Sequence, residues 1–579
     1  MILNEITCII WYQLCIITHI LQVLEELLMK KFISIVLTIV LAVTLLASCK
    51  GKDPQGYYPG TPTKDSITVN IGGEPPTMFN ILSIDSYSNT VLSHVLDMLV
   101  IKDPTGAIVP NAAESWEYDE DTLTYTFHIR EGQVWSNGDP VTAHDFEFAW
   151  KSLLNPEFAA TYAYSAFILK NGEAYTNGEV TADEVGVTAL DDYTLEVILS
   201  RPVPYFLDEI SGPLYGPLNQ SAYEAIVAEF GEGSYGTDPD KVVTNGPYTI
   251  TEWSHEDYLL VEKMEGYNGV FQVAIPKIYF DMISDANTAL NAFRAGELDY
   301  IHELSGEQAI SLIAEGAPVM GYQSTTIQYI DYNYDWAGLD NVNIRMGLTL
   351  SLDTQALCEN VLMDGSQPAY NIVTGSITEL STGEPFTNRV GPLFEYNPEL
   401  ALELFEKGLE EEGLTREDLN FVIICDDKDD VKKACAFIIE QWNTVLGIEV
   451  TIEAMPFKSR IQHLIDQDFC MCFDGWTTGN NDPIDIMEVF ISTNGNNAAK
   501  YLNEEYDALM ALAAMEADEE ARYELLAQAE TLLVGEDMGP GPLYFPFRNV
   551  IVSEKVNGLV RTGFQYTWRF ASIDESVVS

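Results

Sequence analysis

The residues best suited to proton transfer or metal binding are His94, His128, His144, His255, His302 and His463, and their spacing serves neither chemistry. No two of them form the His-Glu-x-x-His pattern that turns a pair of imidazoles onto one helix face for zinc. No Gly-x-Ser-x-Gly elbow presents a nucleophile, and no Gly-rich loop ending in Lys-Ser or Lys-Thr cradles a phosphate. Asp145 follows His144 in the first turn of a predicted helix, where a carboxylate answers the helix dipole rather than orienting a base. Cys470 and Cys472 stand two apart on one side of a predicted strand, but no second cysteine pair or neighbouring histidine completes a zinc ligand set. With 89 Asp and Glu in the chain, paired carboxylates carry no signal of acid–base catalysis. These residues point away from an enzyme, a metal or another cofactor, and toward binding without covalent change.

The elements that would position a binding surface are legible. Ser66-Ile67-Thr68-Val69-Asn70-Ile71 alternates as a strand and stops at Gly72-Gly73. Thr122 to Ile129 and Tyr193 to Leu199 alternate in the same way. Further on, Asn397-Pro398 supplies an N-cap and a first-turn proline to a helix whose stripe is Leu400, Leu404, Phe405 and Leu409. Val431, Ala434, Cys435, Ile438, Trp442 and Leu446 repeat at helical spacing until Gly447 closes that helix, and Ile448 to Ile452 follows as a strand. Helix, glycine stop and strand in quick succession predict an α/β layer. Ile330, Tyr332 and Tyr334 alternate with Tyr329, Asp331 and Asn333 in an extended aromatic strand, and Gly539-Pro540-Gly541-Pro542 marks a place for the chain to turn back.

Composition excludes one class of partner. Only 29 Lys and Arg stand against the acids, for a formal net charge of −60, so no nucleic acid would dock on this surface. Such a charge keeps a protein soluble beside an anionic membrane. Cys358, Cys425, Cys435, Cys470 and Cys472 are an odd set, so a disulfide framework does not organise the body. Near the front, Met29-Lys30-Lys31 leads into an uncharged apolar run from Phe32 to Leu46, which ends in Leu46-Ala47-Ser48-Cys49. That is the form of a secretory signal, and the small residues before Cys49 resemble a bacterial lipobox, in which the cysteine is lipidated. Residues 1–48 are therefore expected to be an upstream extension plus signal peptide, with Met29 as the start. Residues 49–64 are expected to be the lipidated cysteine and a Gly- and Pro-rich tether. The roughly 530 residues beyond Cys49 exceed one ordinary core and predict two or three subdomains.

Several segments, in order, resemble the extracellular solute-binding proteins of family 5, the oligopeptide- and dipeptide-binding proteins of bacterial ABC importers. They are Ile71-Gly72-Gly73-Glu74-Pro75-Pro76-Thr77, Asp103-Pro104-Thr105-Gly106, and the run from Phe127-His128-Ile129-Arg130 through Trp135-Ser136-Asn137-Gly138-Asp139-Pro140 to Asp145-Phe146. Asn245-Gly246-Pro247-Tyr248, Ala292-Phe293-Arg294-Ala295-Gly296-Glu297-Leu298-Asp299 and Ile344-Arg345-Met346-Gly347-Leu348 continue the series. The resemblance implies an α/β, two-lobe periplasmic-binding-protein-like fold of type II, with an extra subdomain and a ligand cleft between the lobes. On it, residues 65–325 form lobe I with a subdomain inserted at about 108–235. Residues 326–543 form lobe II, and residues 544–579 return to lobe I.

The resemblance also implies a peptide held by its backbone as an added strand, with its α-ammonium on an aspartate three residues after a Gly-Trp pair. In Asp474-Gly475-Trp476-Thr477-Thr478-Gly479-Asn480-Asn481-Asp482-Pro483 that place is Gly479; Asp474 and Asp482 are the carboxylates on the same segment that could pair with a ligand cation, and Asp482, just before Pro483, reads first as a turn cap. The ligand contacts expected on this basis are Glu74, Pro75, Asn245, Tyr332, Asp474, Gly475, Trp476, Thr477 and Asp482. Basic residues for a ligand carboxylate are not evident, since Phe473 and Val431 occupy the places where some relatives carry them. The implied protein is a monomer, tethered outside the cytoplasmic membrane through Cys49, that captures small peptides and passes them to ABC permease subunits. A non-peptide solute in the same fold (a metal chelate, an oligosaccharide, an opine-like compound) and a surface peptide sensor stay open as alternatives.

Overall fold

The computed structural model describes residue 61 and residues 63–562 and 565–578. The signal segment, Cys49 and most of the tether lie outside the described residues. Among the described residues, no helix is long and apolar enough to cross a membrane.

Two sheets carry the fold. The first orders Val319–Gln323, Phe547–Val552, Tyr300–Leu304, Ser66–Asn70, Lys277–Asp281, Tyr258–Lys263 and Tyr248–Ser254. Its middle strand Ser66–Asn70 pairs in parallel on both sides. Layers therefore cover both of its faces, and the strand is buried almost throughout. The second sheet orders Gln367–Pro368, Gly541–Phe545, Thr326–Tyr332, Met471–Thr477, Val422–Asp426 and Thr451–Met455. A third, four-stranded antiparallel sheet orders Ala113–Asp119, Thr124–Ile129, Thr194–Ile198 and Val187–Asp191 and shares no strand with the other two. Helix Ala143–Leu154 packs on it through Phe146, Ala149 and Leu153, and Asp145 closes a capping box with Thr142.

The chain forms two lobes around these sheets and crosses between them twice. It leaves the first sheet at Gln323 and enters the second at Thr326, then returns across Pro546. Tyr544 and Phe545 still pair with Gln328 and Pro368 or Gln367, so the return falls just beyond the Gly-Pro cluster rather than at it. The two crossings are tied together: Ser324 N donates to Pro546 O at 3.0 Å, and Gln323 Nε2 donates to Phe545 O at 3.2 Å and Pro546 O at 3.0 Å. Two short extended crossings side by side allow hinge rotation while holding the lobes in register.

In the second lobe, helix Pro398–Glu412 starts at Asn397, whose side chain accepts from Leu400 N. Leu400 itself is exposed, and Ala401, Phe405 and Leu409 make the buried stripe. Helix Asp429–Leu446 buries Ala434, Cys435, Ile438, Trp442 and Leu446 and ends on Gly447 at φ +68°. The strand that follows begins at Thr451, not Ile448, because Ile448 is used to cover the helix end in the core. Cys470 and Cys472 do not share a side of the strand. Cys470 precedes it and packs with Ile423 and Trp442, whereas Cys472 packs with Ile424 and Phe469. All five described cysteines are free and buried.

Candidate functional site

Strand Met471–Thr477 pairs with Thr326–Tyr332 along its whole length on one edge. On its other edge Ile423 and Ile424 pair only with Met471 and Cys472. Among the described residues no strand covers that edge at Asp474, Gly475, Trp476 and Thr477, so the backbone there is open for an added strand. These four expected contacts are brought together. Gly475 has a packing reason for its identity, since a Cβ there would lie 2.5 Å from Gln328 Nε2. Thr477 hydrogen-bonds Thr326 across the strand pair at 2.8 Å. Trp476 is half-buried, and its Nε1 donates to Asp485 Oδ1 at 2.7 Å.

The other expected contacts are spent elsewhere. Glu74 accepts from Trp253 Nε1 (2.9 Å) and Glu256 N (2.6 Å) and pairs with His255, which fixes a hairpin turn of the first lobe. Pro75 is buried beside it. Asn245 clamps both backbone groups of Asp97, at 3.0 and 2.9 Å, inside a buried network where Asp97 meets Arg569 and the Tyr267 hydroxyl. Tyr332 lies fully buried in the second-lobe core, bonded to Thr349. Asp482 is buried and bidentate to Arg522, at 2.8 and 2.7 Å, and its Oδ1 also caps Ile484 N. Asp474 pairs with Arg460 at 2.6 Å, and the same guanidinium holds Asp426 at 2.7 Å. Asp331, next to this pair, has a carboxylate oxygen with no partner, and burial followed by the nearby Asp474 charge pushes it well above the usual carboxylate range.

The groups left without a cation face one another across the lobes, and the sequence reading missed them. Asn480 Nδ2 of the second lobe donates to Glu209 Oε2 at 2.8 Å, 271 positions away in sequence, and to Asp485 Oδ2 at 3.2 Å. Asn481 N donates to Asp208 Oδ2 at 3.0 Å, and Lys102 neutralises Asp208 from the side. Asp485 Oδ2 also accepts from Gly479 N at 3.1 Å. Burial, opposed by the Trp476 bond, lifts Asp485 to about 6. Burial and the Asp485 charge lift Glu209 to about 7, and the same two causes put Glu488 well above its usual range. Asp485, Glu209 and Glu488 nevertheless keep part of their surface accessible, as do Tyr162 and Tyr164, whose hydroxyls feel the same acids. Side chains set deep between two lobes yet not sealed are what a ligand chamber presents. Nearer the hinge the character reverses. Arg548 pairs with Glu303, and Arg548 and Lys428, from opposite lobes, add to burial in holding His302 neutral, at about 4. Spacing alone could not have found these groups, because each reaches the cleft from a different element.

Among the described residues no cluster of His, Cys, Asp and Glu could hold a metal ion. Gly231, Gly233 and Gly236 stand at the spacing of a dinucleotide loop, but they follow helix Gln220–Phe230 and lead into a single 3₁₀ turn, so no strand–loop–helix phosphate cradle forms.

Residues 107–498 match the family model described as bacterial extracellular solute-binding proteins, family 5 Middle. The chain is 34% identical to the oligopeptide-binding protein OppA of Bacillus subtilis (strain 168), over 92% of this chain and 98% of that protein. It superposes on the substrate-binding domain of an oligopeptide ABC transporter from Bacillus anthracis with TM-score 0.81 and 31% identity, covering 89% of this chain and 99% of the other. It superposes on Listeria monocytogenes OppA bound to peptide with TM-score 0.80 and 28% identity, covering 88% and 99%.

Proposed function

The chain belongs to the bacterial extracellular solute-binding proteins of family 5, solute binders rather than enzymes, and from that membership we propose that it captures small peptides and hands them to the permease of an ABC importer. It works as a monomer held outside the cytoplasmic membrane by lipid on Cys49. The observation that carries the reading is the uncovered strand edge at Asp474–Thr477, set opposite the carboxylates of the other lobe. A peptide backbone completes that edge, and its α-ammonium answers the acids beside Asn480. Relatives named as oligopeptide-binding, one of them solved with peptide, support the same ligand class. Binding free energy does the work by shifting an open–closed equilibrium, with no covalent step. In this scheme lobe I spans 65–325 and 547–579, and lobe II spans 326–545.

Native mass spectrometry of the purified chain, followed by calorimetry with di- to pentapeptides, tests the reading. A peptide carried through purification, or micromolar binding of short peptides, is the expected result. Binding of an oligosaccharide or metal chelate with no peptide binding would replace it.

A further inference from the structure

We propose that the chamber selects peptides whose N-terminal end carries two positive charges, the α-ammonium and a Lys or Arg side chain at the first residue, held by Glu209, Asp485 and Glu488. The inference rests on the peptide reading above and narrows it.

Among the described residues, most acids around the cleft already have a cation, and three do not. Asp482 is answered by Arg522, Asp208 by Lys102, and Asp474 with Asp426 by Arg460. Glu209, Asp485 and Glu488 have no Lys or Arg within ion-pair distance among the described residues. Arg201, whose Nη2 is turned to the Tyr205 hydroxyl, is the cation that acts on Glu488 from further away. Three acids against one distant guanidinium, and a Lys102 already paired with Asp208 that acts on Glu209 from the side, leave room for two ligand charges.

A second observation points to a donor-rich ligand group. Asn480 is 7% exposed, and its amide nitrogen is bonded to both Glu209 and Asp485, yet its Oδ1 has no partner. The Thr478 Oγ1, 2% exposed on the same loop, has none either. A buried acceptor left open beside carboxylates that lack donors is the complement of an ammonium or guanidinium, which offers only donors. Tyr162 and Tyr164, packed edge to face at 6.0 Å, line the same side and offer aromatic faces to a cation. A neutral first residue would leave one acid uncompensated in the closed cleft, which is a specificity built from an unpaired charge.

The shared chemistry, two organic cations a few ångströms apart, could also come from a free diamine. Calorimetry on the full-length protein with Lys-Ala-Ala, Ala-Ala-Ala and cadaverine separates the sources. Lys-Ala-Ala is expected to bind at least about tenfold more tightly than Ala-Ala-Ala, the size of one desolvated charge pair. The Lys-over-Ala ratio is expected to fall to about threefold or less in Glu488→Gln, where one carboxylate is neutral. The ratio is read within each variant, so a partial folding defect cancels. Equal binding of the two tripeptides to the wild type overturns the inference while leaving peptide capture intact. Cadaverine binding as tightly as Lys-Ala-Ala overturns it in favour of a free diamine, and failure of every tripeptide overturns the peptide reading with it.

Discussion

The Asp485 carboxylate reaches the place that residue 479 leaves empty: a Cβ built on Gly479 would lie 3.7 Å from Asp485 Oδ2 and meet nothing nearer. The family resemblance called for an aspartate at 479, and the chain supplies the carboxylate from six residues on. Trp476 Nε1, Gly479 N and Asn480 Nδ2 hold it by 2.7, 3.1 and 3.2 Å bonds. These fix its rotamer while leaving lone-pair capacity for a ligand.

Asp485→Asn keeps the shape and part of this hydrogen bonding and removes the charge. It should weaken binding of a peptide with a free N-terminus by about 1.5–3 kcal/mol, the scale of a hydrogen bond to a charged group. N-acetylated peptide should lose far less. Calorimetry on both ligands checks this, and equal losses would assign Asp485 a role in loop structure only.

Asp474 behaves differently from its sequence neighbour Trp476. Its carboxylate is 14% exposed and is tied to Arg460, which is 6% exposed. Asp474→Ala should therefore act mainly on folding, with about 2–4 kcal/mol lost because Arg460 stays buried and half-paired. Urea unfolding should show the drop, and Asp474→Ala combined with Arg460→Met should recover part of it. A binding defect without a stability defect would return Asp474 to the ligand.

Arg522 and Asp482 make the stronger buried pair, bidentate and at most 3% exposed. Arg522→Ala should cost about 3–5 kcal/mol, the penalty for leaving a carboxylate buried and alone. The Asp482-containing turn that carries Asn480 and Asn481 should loosen first. Hydrogen exchange at residues 478–485 is the measurement, and unchanged protection there would contradict the assignment of Asp482 as the anchor of the turn.

What the sequence alone makes legible follows from the range of each interaction. Asn397, Gly447 and the stripe ending at Leu446 act on their own turn of chain, so local pattern places those helices within a residue or so. The two crossings were foreshadowed by Thr325-Thr326 and the Gly-Pro cluster, which mark where extended chain starts and turns. Asp474, Trp476 and Asp482 stood out because they flank a recognisable Gly-Trp pair. Their partners Arg460, Asp485 and Arg522 did not, because a partner is chosen by tertiary packing and not by spacing. Glu209 was invisible for the same reason at longer range, since it meets Asn480 across 271 positions of sequence. Glu74 and Asn245 misled in the opposite sense: each sits in a family motif, and each is used to brace the first lobe.

The closure equilibrium itself should depend on pH. In the closed form burial lifts Asp485 to about 6 and Glu209 to about 7, and raises Glu488 well above its usual range. Opening the lobes to water returns them toward ordinary values near 4. The closed form then binds more protons between roughly pH 4 and 7, so closing is favoured as pH falls through that window and opposed above it. The facing cations, Arg201, Lys102 and Arg522, stay charged throughout and do not reverse the sign. Small-angle scattering of the ligand-free protein should give a smaller radius of gyration at pH 5 than at pH 8, and Glu209→Gln should shrink the difference. A saturating peptide supplies the missing positive charge at any pH, so the two profiles should then coincide. A ligand-free radius that is the same at both pH values would mean that these acids do not oppose each other across the cleft.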